Sequence, residues 1–129
     1  MAEPSKKRVL VIDDAGLVRL YYRGILEDAG YQVDEALNGL EGIEKLLQQP
    51  ADLLIVDVNM PQMDGISFLK LLRRQAPPLS ATPALVASSE AGEQDQHAAC
   101  AAGANGYLVK ALGRETLLEY AALLCGSPT

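Results

Sequence analysis

Five short apolar runs punctuate the chain, at Val9–Ile12, around Val33–Ala36, and at Leu53–Val56, Ala84–Ala87 and Tyr107–Val109. The runs at 9–12 and 53–56 are apolar at every position, as strands buried on both faces of a parallel sheet require. Each run is followed by a stretch with helical spacing. The first places Val18, Tyr21, Tyr22, Ile25 and Ala29 on one side and Arg19, Arg23 and Glu27 on another, and Gly30 stops it. The second opens on Asn38-Gly-Leu-Glu41, a capping-box variant, carries Leu40, Ile43 and Leu47 on one stripe, and ends before Pro50. A third, about Gly65–Arg74, buries Ile66, Leu69 and Leu72 and finishes on two arginines, which suits a helix C-terminus. The fourth, about Glu93–Ala102, has only Ala98, Ala101, Ala102 and Cys100 for an apolar side. The fifth, Arg114–Leu124, uses Leu117, Ala121 and Leu124.

Strand-helix alternation five times over predicts an α/β fold, a doubly wound five-stranded parallel sheet with helices on both faces. Right-handed crossovers leave few topologies, and the flavodoxin-like strand order 2-1-3-4-5 is the one predicted. No internal repeat, low-complexity tract or long linker interrupts residues 1–129, so they read as one domain with a core over about 7–125.

Composition narrows the function. Residues 1–64 hold 12 acids against 6 bases, whereas residues 65–129 hold 5 of each, so the whole net charge of −6 sits in the first half. A chain of this balance lacks the clustered Lys and Arg of a phosphate-backbone binder or an anionic-membrane anchor. No apolar run approaches the ~20 residues of a membrane span, no signal peptide opens the chain, and two cysteines make no disulfide scaffold. A cytoplasmic protein is expected, with neither nucleic acid nor membrane as a direct partner.

Doubly wound sheets bind ligands beyond the carboxyl ends of their strands, where the strand order reverses. The first run ends in Asp13-Asp14, the third in Asp57, the fourth in Ser88-Ser89 and the fifth in Lys110. Strands 1 and 3 adjoin at the switch point, which brings Asp13, Asp14 and Asp57 together with Ser88 and Lys110 beside them. One Asp after a strand is ordinarily a helix cap or a loop residue; four strand ends carrying complementary groups make a site. Clustered carboxylates raise one another's pKa values, and a divalent cation with oxygen ligands such as Mg2+ relieves the repulsion. An Asp can then act as nucleophile toward phosphorus, with a Lys ammonium and a Ser hydroxyl for the phosphoryl oxygens.

These features resemble the receiver domain of two-component response regulators, especially the small chemotaxis-type regulators. The matching stretches are Val9-Leu-Val-Ile-Asp-Asp14, Leu54-Ile-Val-Asp-Val-Asn-Met-Pro61, Met63-Asp-Gly65, Pro83-Ala-Leu-Val-Ala-Ser88 and Gly103-Ala-Asn-Gly-Tyr-Leu-Val-Lys110. The resemblance implies that Asp57 is the phosphoacceptor, charged from a phosphohistidine on a histidine kinase or phosphotransfer protein. It further implies that Asp13, Asp14, Asp57 and the backbone carbonyl of Asn59 hold Mg2+. Ser88 and Lys110 then match the phosphoryl-binding hydroxyl and cation, and Tyr107 the aromatic switch position. Output is expected through a protein partner on the face of helix 4, strand 5 and helix 5, with no output domain in the chain itself. The thinly apolar fourth helix is the expected bistable element.

Two positions depart from the family pattern. Ala111 follows the lysine where proline, in a cis peptide, is usual, so the Lys110–Ala111 bond is left open between trans and cis. Ser89 follows Ser88 where Ala or Gly is common, and is expected to narrow access for hydrolytic water. Alternatives from other classes are an aspartyl-phosphate phosphatase, a pseudo-receiver that only binds partners, and an FMN-binding flavodoxin. The phosphatase usually carries a second Asp where this chain has Asn59, the pseudo-receiver lacks part of the polar set that is intact here, and no Ser/Thr/Gly-rich loop follows strand 1 for FMN. His97 reads as solvent-exposed, Cys100 and Cys125 as small apolar-stripe residues, Met60 and Met63 as loop packing, Tyr21 and Tyr22 as core-edge residues. Glu27, Asp28, Asp34 and Glu35 read as solvated surface.

Overall fold

The structure, a computed structural model, describes residues 6–128. Strands β1 (Arg8–Ile12), β2 (Gln32–Ala36), β3 (Leu53–Val56), β4 (Ala84–Ser88) and β5 (Gly106–Val109) alternate with helices α1 (Gly16–Asp28), α2 (Gly39–Gln48), α3 (Gly65–Arg73), α4 (Glu93–Ala102) and α5 (Arg114–Cys125). A short 3-10 turn at Leu79–Ala81 precedes β4. The five parallel strands lie in the order β2-β1-β3-β4-β5, as the alternation predicts. Alternate residues of the central strands feed two cores. Val9, Val11 and Ile55 face Tyr22, Ile25, Leu26, Leu117 and Ala121 of α1 and α5. Leu10, Ile12, Leu54 and Val56 face Leu46, Phe68, Leu69, Leu72, Ala99 and Ala102 of α2, α3 and α4.

Several helix faces differ from those read off the spacing. In α2 the buried residues are Gly39, Gly42 and Leu46, while Leu40 is 45% and Leu47 67% exposed. The reason is close approach. A Cβ on Gly42 would press on Ile12 and Phe68, so α2 lies against β1 through its glycines and turns two leucines outward. Tyr21 likewise sits at the surface of α1, its hydroxyl donating to the Leu112 carbonyl at 2.8 Å, and Leu26 takes the buried place. In α4 only Ala99 and Ala102 are buried; Ala98, Ala101 and Cys100 are exposed, so Cys100 is not a core thiol. Cys125 is half-buried, and burial pushes its thiol up to about 11.

Asp34 and Glu35 are not simply solvated. Asp34 pairs with Arg8 at 3.0 Å and Lys45 at 3.3 Å, and Glu35 with Arg19 at 2.9 Å and with Arg23. These pairs lace β2, an edge strand with alternating polar positions, to β1, α1 and α2. Asp28 does lie out in solvent, paired with Arg114.

Candidate functional site

The sheet ladder runs one residue past β1 and β3. The amide of Asp13 donates to the Ala36 carbonyl at 3.1 Å, and that of Asp57 to the Ile12 carbonyl at 2.9 Å. Both aspartates are therefore held in register on adjacent strands at the edge where the order reverses. Asp13 is 2% exposed and Asp57 8%, while Asp14, the next residue, is exposed. One carboxylate oxygen from each of the three lies within 4.8 Å of the others.

Each buried carboxylate accepts a backbone amide at its Oδ1. Asp13 Oδ1 accepts from the Ala15 amide at 2.9 Å, a local turn that ends β1 and starts α1. Asp57 Oδ1 accepts from the Val58 amide at 3.0 Å. Lys110 follows β5 because its own amide extends the ladder to the Ser88 carbonyl at 2.8 Å, and its stem crosses the end of β4. Its Nζ reaches Asp13 Oδ2 at 2.8 Å and Asp57 Oδ1 at 3.3 Å. The Lys110–Ala111 peptide is cis. Ala111 and Ser89 are both exposed.

The electrostatics follow the geometry. Burial, and then the charge of Asp13, push the Asp57 carboxyl above its ordinary value, against the pull of Lys110 and the Val58 amide. Burial alone would lower Lys110, but the hydrogen bond it donates to Asp13 and the charges of Asp13 and Asp57 outweigh it and the ammonium is held above its usual range. Burial also raises the Tyr22 phenol beneath the pocket to about 12. One lysine thus faces three carboxylates, two of them buried. That donor set fits a hard divalent cation held by oxygen, and leaves the pocket short of positive charge without one.

The rest of the predicted set sits around this pocket. Ser88 is fully buried at the end of β4, where its Oγ accepts from the Glu90 amide at 3.1 Å. The Glu90 carbonyl in turn accepts from the Tyr107 hydroxyl at 2.6 Å. Glu90 therefore links the predicted hydroxyl and aromatic positions through its two backbone groups. Asn59 is exposed in the loop after β3. That loop closes tightly. Gly65 donates to the Val58 carbonyl at 2.8 Å, and a Cβ there would run into the Asp57 carbonyl, so α3 can begin beside the acid only on a glycine. Asp64 caps the helix by accepting from the Ser67 amide at 2.7 Å.

Sequence reasoning missed Arg19. Its Nη1 donates to the Asp13 carbonyl at 2.7 Å while Nε holds Glu35 at 2.9 Å. Its place on the polar side of α1, five residues after Asp14, was the one available signal, and nothing in the spacing says that it turns back on the loop. His97 is exposed, as its polar neighbours predict.

The profile of the response regulator receiver domain family matches residues 9–122. Among curated proteins the chain is 34% identical to the transcriptional regulatory protein ResD of Bacillus subtilis over 125 residues, covering 96% of this chain and 50% of ResD. It is 46% identical over 83 residues to the protein-glutamate methylesterase/protein-glutamine glutaminase of Archaeoglobus fulgidus, covering 64% of this chain and 23% of that protein. The chain thus spans half or less of the length of these relatives. Among solved structures, the chemotaxis protein CheY4 of Vibrio cholerae superposes with a TM-score of 0.87 at 36% identity, over 93% of this chain and 99% of that one. The chain belongs to the response regulator receiver domain family, the phosphoacceptor modules of two-component signal transduction.

Proposed function

We propose that Asp57 is the residue phosphorylated. The observation that carries this reading is the asymmetry of its carboxylate: Oδ1 is held by Val58 and Lys110, while Oδ2 accepts no hydrogen bond among the described residues. Oδ2 attacks the phosphorus of a phosphohistidine on a histidine kinase or phosphotransfer protein. The new O–P bond forms as the P–N bond breaks, and the electron pair stays on the imidazole nitrogen, which takes up a proton. Lys110, already at the Oδ1 side, moves onto the transferred group and holds its negative charge. Asp13, Asp14 and Asp57 are the residues for Mg2+, with the Asn59 backbone carbonyl. When bound, the ion supplies Lewis-acid stabilisation of phosphoryl oxygens.

Ser88 is poised to exchange partners. Its hydroxyl leaves the Glu90 amide for a phosphoryl oxygen, which loosens the Glu90 peptide that Tyr107 also holds. The change is thereby delivered to α4, whose buried residues are only two alanines. Output then passes to a protein partner on the face of α4, β5 and α5. We assign the chain as one receiver domain over 1–129, acting in the cytoplasm without direct contact to nucleic acid or membrane. No described helix is long and apolar enough to cross a membrane.

The test is stoichiometry. Incubation with phosphoramidate and Mg2+ should label the protein with one phosphoryl group, and p-nitrophenyl phosphate should not be turned over rapidly. Rapid multiple turnover would instead favour the phosphatase reading, which the amide of Asn59 in place of a second carboxylic acid disfavours.

A further inference from the structure

A cavity of about 570 Å3 opens between α4 and β5, lined by Gln96, His97, Cys100, Ala101, Gly106 and Tyr107 among others. It is larger than the mostly apolar hollow of about 190 Å3 beside Leu17 and Tyr21, and within the size range of ligand sites. Its floor is apolar because α4 presents small residues here. Ala101 and Cys100 are exposed, so the helix leaves room that larger side chains would fill.

The charge around this groove has one sign. From Ser89 to Val109 the chain carries three acids, Glu90, Glu93 and Asp95, and no Lys or Arg. Glu93 and Asp95 form the exposed first turn of α4. The two cations that border the region are turned away from it. Arg73 is half-buried and spends its donors on the carbonyls of Gly103, Ser80 and Thr82 and the side chain of Asn105. Lys110 points into the carboxylate pocket. Gln96, His97 and Asn105 are the polar residues of the lining, and a mostly apolar trough flanked by the acidic first turn of α4 selects a cationic partner: complementary charge speeds encounter and like charge excludes competitors.

We propose that the α4–β5 groove receives a basic, amphipathic peptide segment of the downstream protein, which seats small apolar side chains against Ala101 and Tyr107 and sets Lys or Arg beside Glu93 and Asp95. This rests on the reading of the α4, β5 and α5 face as the output surface, and adds the chemistry of what binds there. The groove is coupled to the phosphorylation pocket, because its wall residue Tyr107 is bonded to Glu90, and Glu90 to Ser88.

Two synthetic helical peptides test it. They share one stripe of Leu and Ala and differ only in carrying Lys or Glu at every polar position. Binding is read by fluorescence anisotropy and by amide chemical shifts of the 15N-labelled full chain, with Mg2+ present, and with and without beryllofluoride. The Lys peptide should bind about tenfold tighter than the Glu peptide, as a few exposed ion pairs provide. Its shifts should cluster at residues 93–107, and beryllofluoride should tighten it. Ala101→Trp should block the groove and abolish binding, and Glu93→Lys with Asp95→Lys should reverse the preference. All three side chains are exposed, and the dispersion of the amide spectrum verifies that the variants are folded. Equal affinity, tighter binding of the Glu peptide, or no binding of either overturns the cationic assignment while leaving Asp57 phosphorylation untouched. Lys-peptide shifts that map elsewhere, at the carboxylate pocket for instance, overturn the output-face reading itself.

Discussion

Lys110 Nζ stands 2.8 Å from Asp13 Oδ2, across two strands that belong to neither residue. The pair joins β5 to β1 over the ends of β4 and β3, and Asp57, which follows β3, sits close enough to share the same cation. A buried carboxylate that loses its only ammonium is strongly disfavoured. Lys110→Met, which keeps the apolar stem, should therefore lower stability by about 1–3 kcal/mol in the absence of divalent ions. Millimolar Mg2+ should recover part of that loss. Urea denaturation in chelator and in Mg2+ measures both, and an unchanged midpoint in chelator would show that the pair contributes little.

Asp57→Asn should act in the opposite direction. Burial and the charge of Asp13 both oppose an ionised group at this position, so removing the charge relieves the fold near neutral pH. The amide oxygen can still accept from Val58. The variant should melt a few degrees higher than the wild type in chelator, and the difference should shrink or invert in Mg2+. A lower melting temperature in chelator would contradict the electrostatic account of the pocket.

The β2 ion pairs predict an acid-labile edge. Hydrogen bonding to Arg23, opposed by burial and supported by Arg19, holds the Glu35 carboxyl below its ordinary value. At Asp34, burial raises the carboxyl but is outweighed by the Glu35 amide, Arg8 and Lys45, and the net shift is also downward. In this window the unfolded chain binds more protons than the folded one, so stability rises with pH through it. The contribution is fully present above the ordinary carboxylate range and is lost as pH falls below it. Glu35→Gln should flatten the stability profile between about pH 5 and about pH 3 compared with the wild type. Parallel profiles would mean that the pairs do not contribute.

Much of this molecule was legible before its fold was seen, and the exceptions share a cause. The central strands were readable because a parallel sheet covered on both faces demands uninterrupted apolar runs, and Leu53–Val56 can be little else. The polar strand ends were readable because topology alone carries Asp13, Asp57, Ser88 and Lys110 to one edge. Helix faces were less so. Spacing assigns the largest side chains inward, but α2 approaches the sheet through Gly42, so its leucines turn out. Contacts made by side chains reaching beyond their own element carry no local pattern: Arg19 back to the Asp13 carbonyl, Arg73 into the carbonyls around Gly103, Asp34 onto Arg8 and Lys45.

Arg19 is one such reach with a consequence for function. By holding the Asp13 carbonyl, it fixes the turn that presents Asp13 and Asp14. Arg19→Ala should weaken Mg2+ binding by about 10- to 100-fold, the usual effect of losing a group that orients metal ligands. Arg19→Lys should rescue it poorly, because an ammonium cannot serve the carbonyl and Glu35 with a planar fork. Titration with Mg2+, read by amide shifts at Asp13 and Asp57, separates this from general destabilisation. Wild-type affinity in a folded Arg19→Ala protein would exclude the role.

Locating the phosphoryl group tests the central claim most directly. The protein is treated with phosphoramidate in Mg2+, reduced with borohydride so that an aspartyl phosphate becomes homoserine, and mapped by peptide mass spectrometry. Homoserine at position 57 alone, absent when Mg2+ is chelated and absent in Asp57→Asn, is the predicted result. Homoserine at position 13 or 14, or undiminished labelling of Asp57→Asn, would contradict the account.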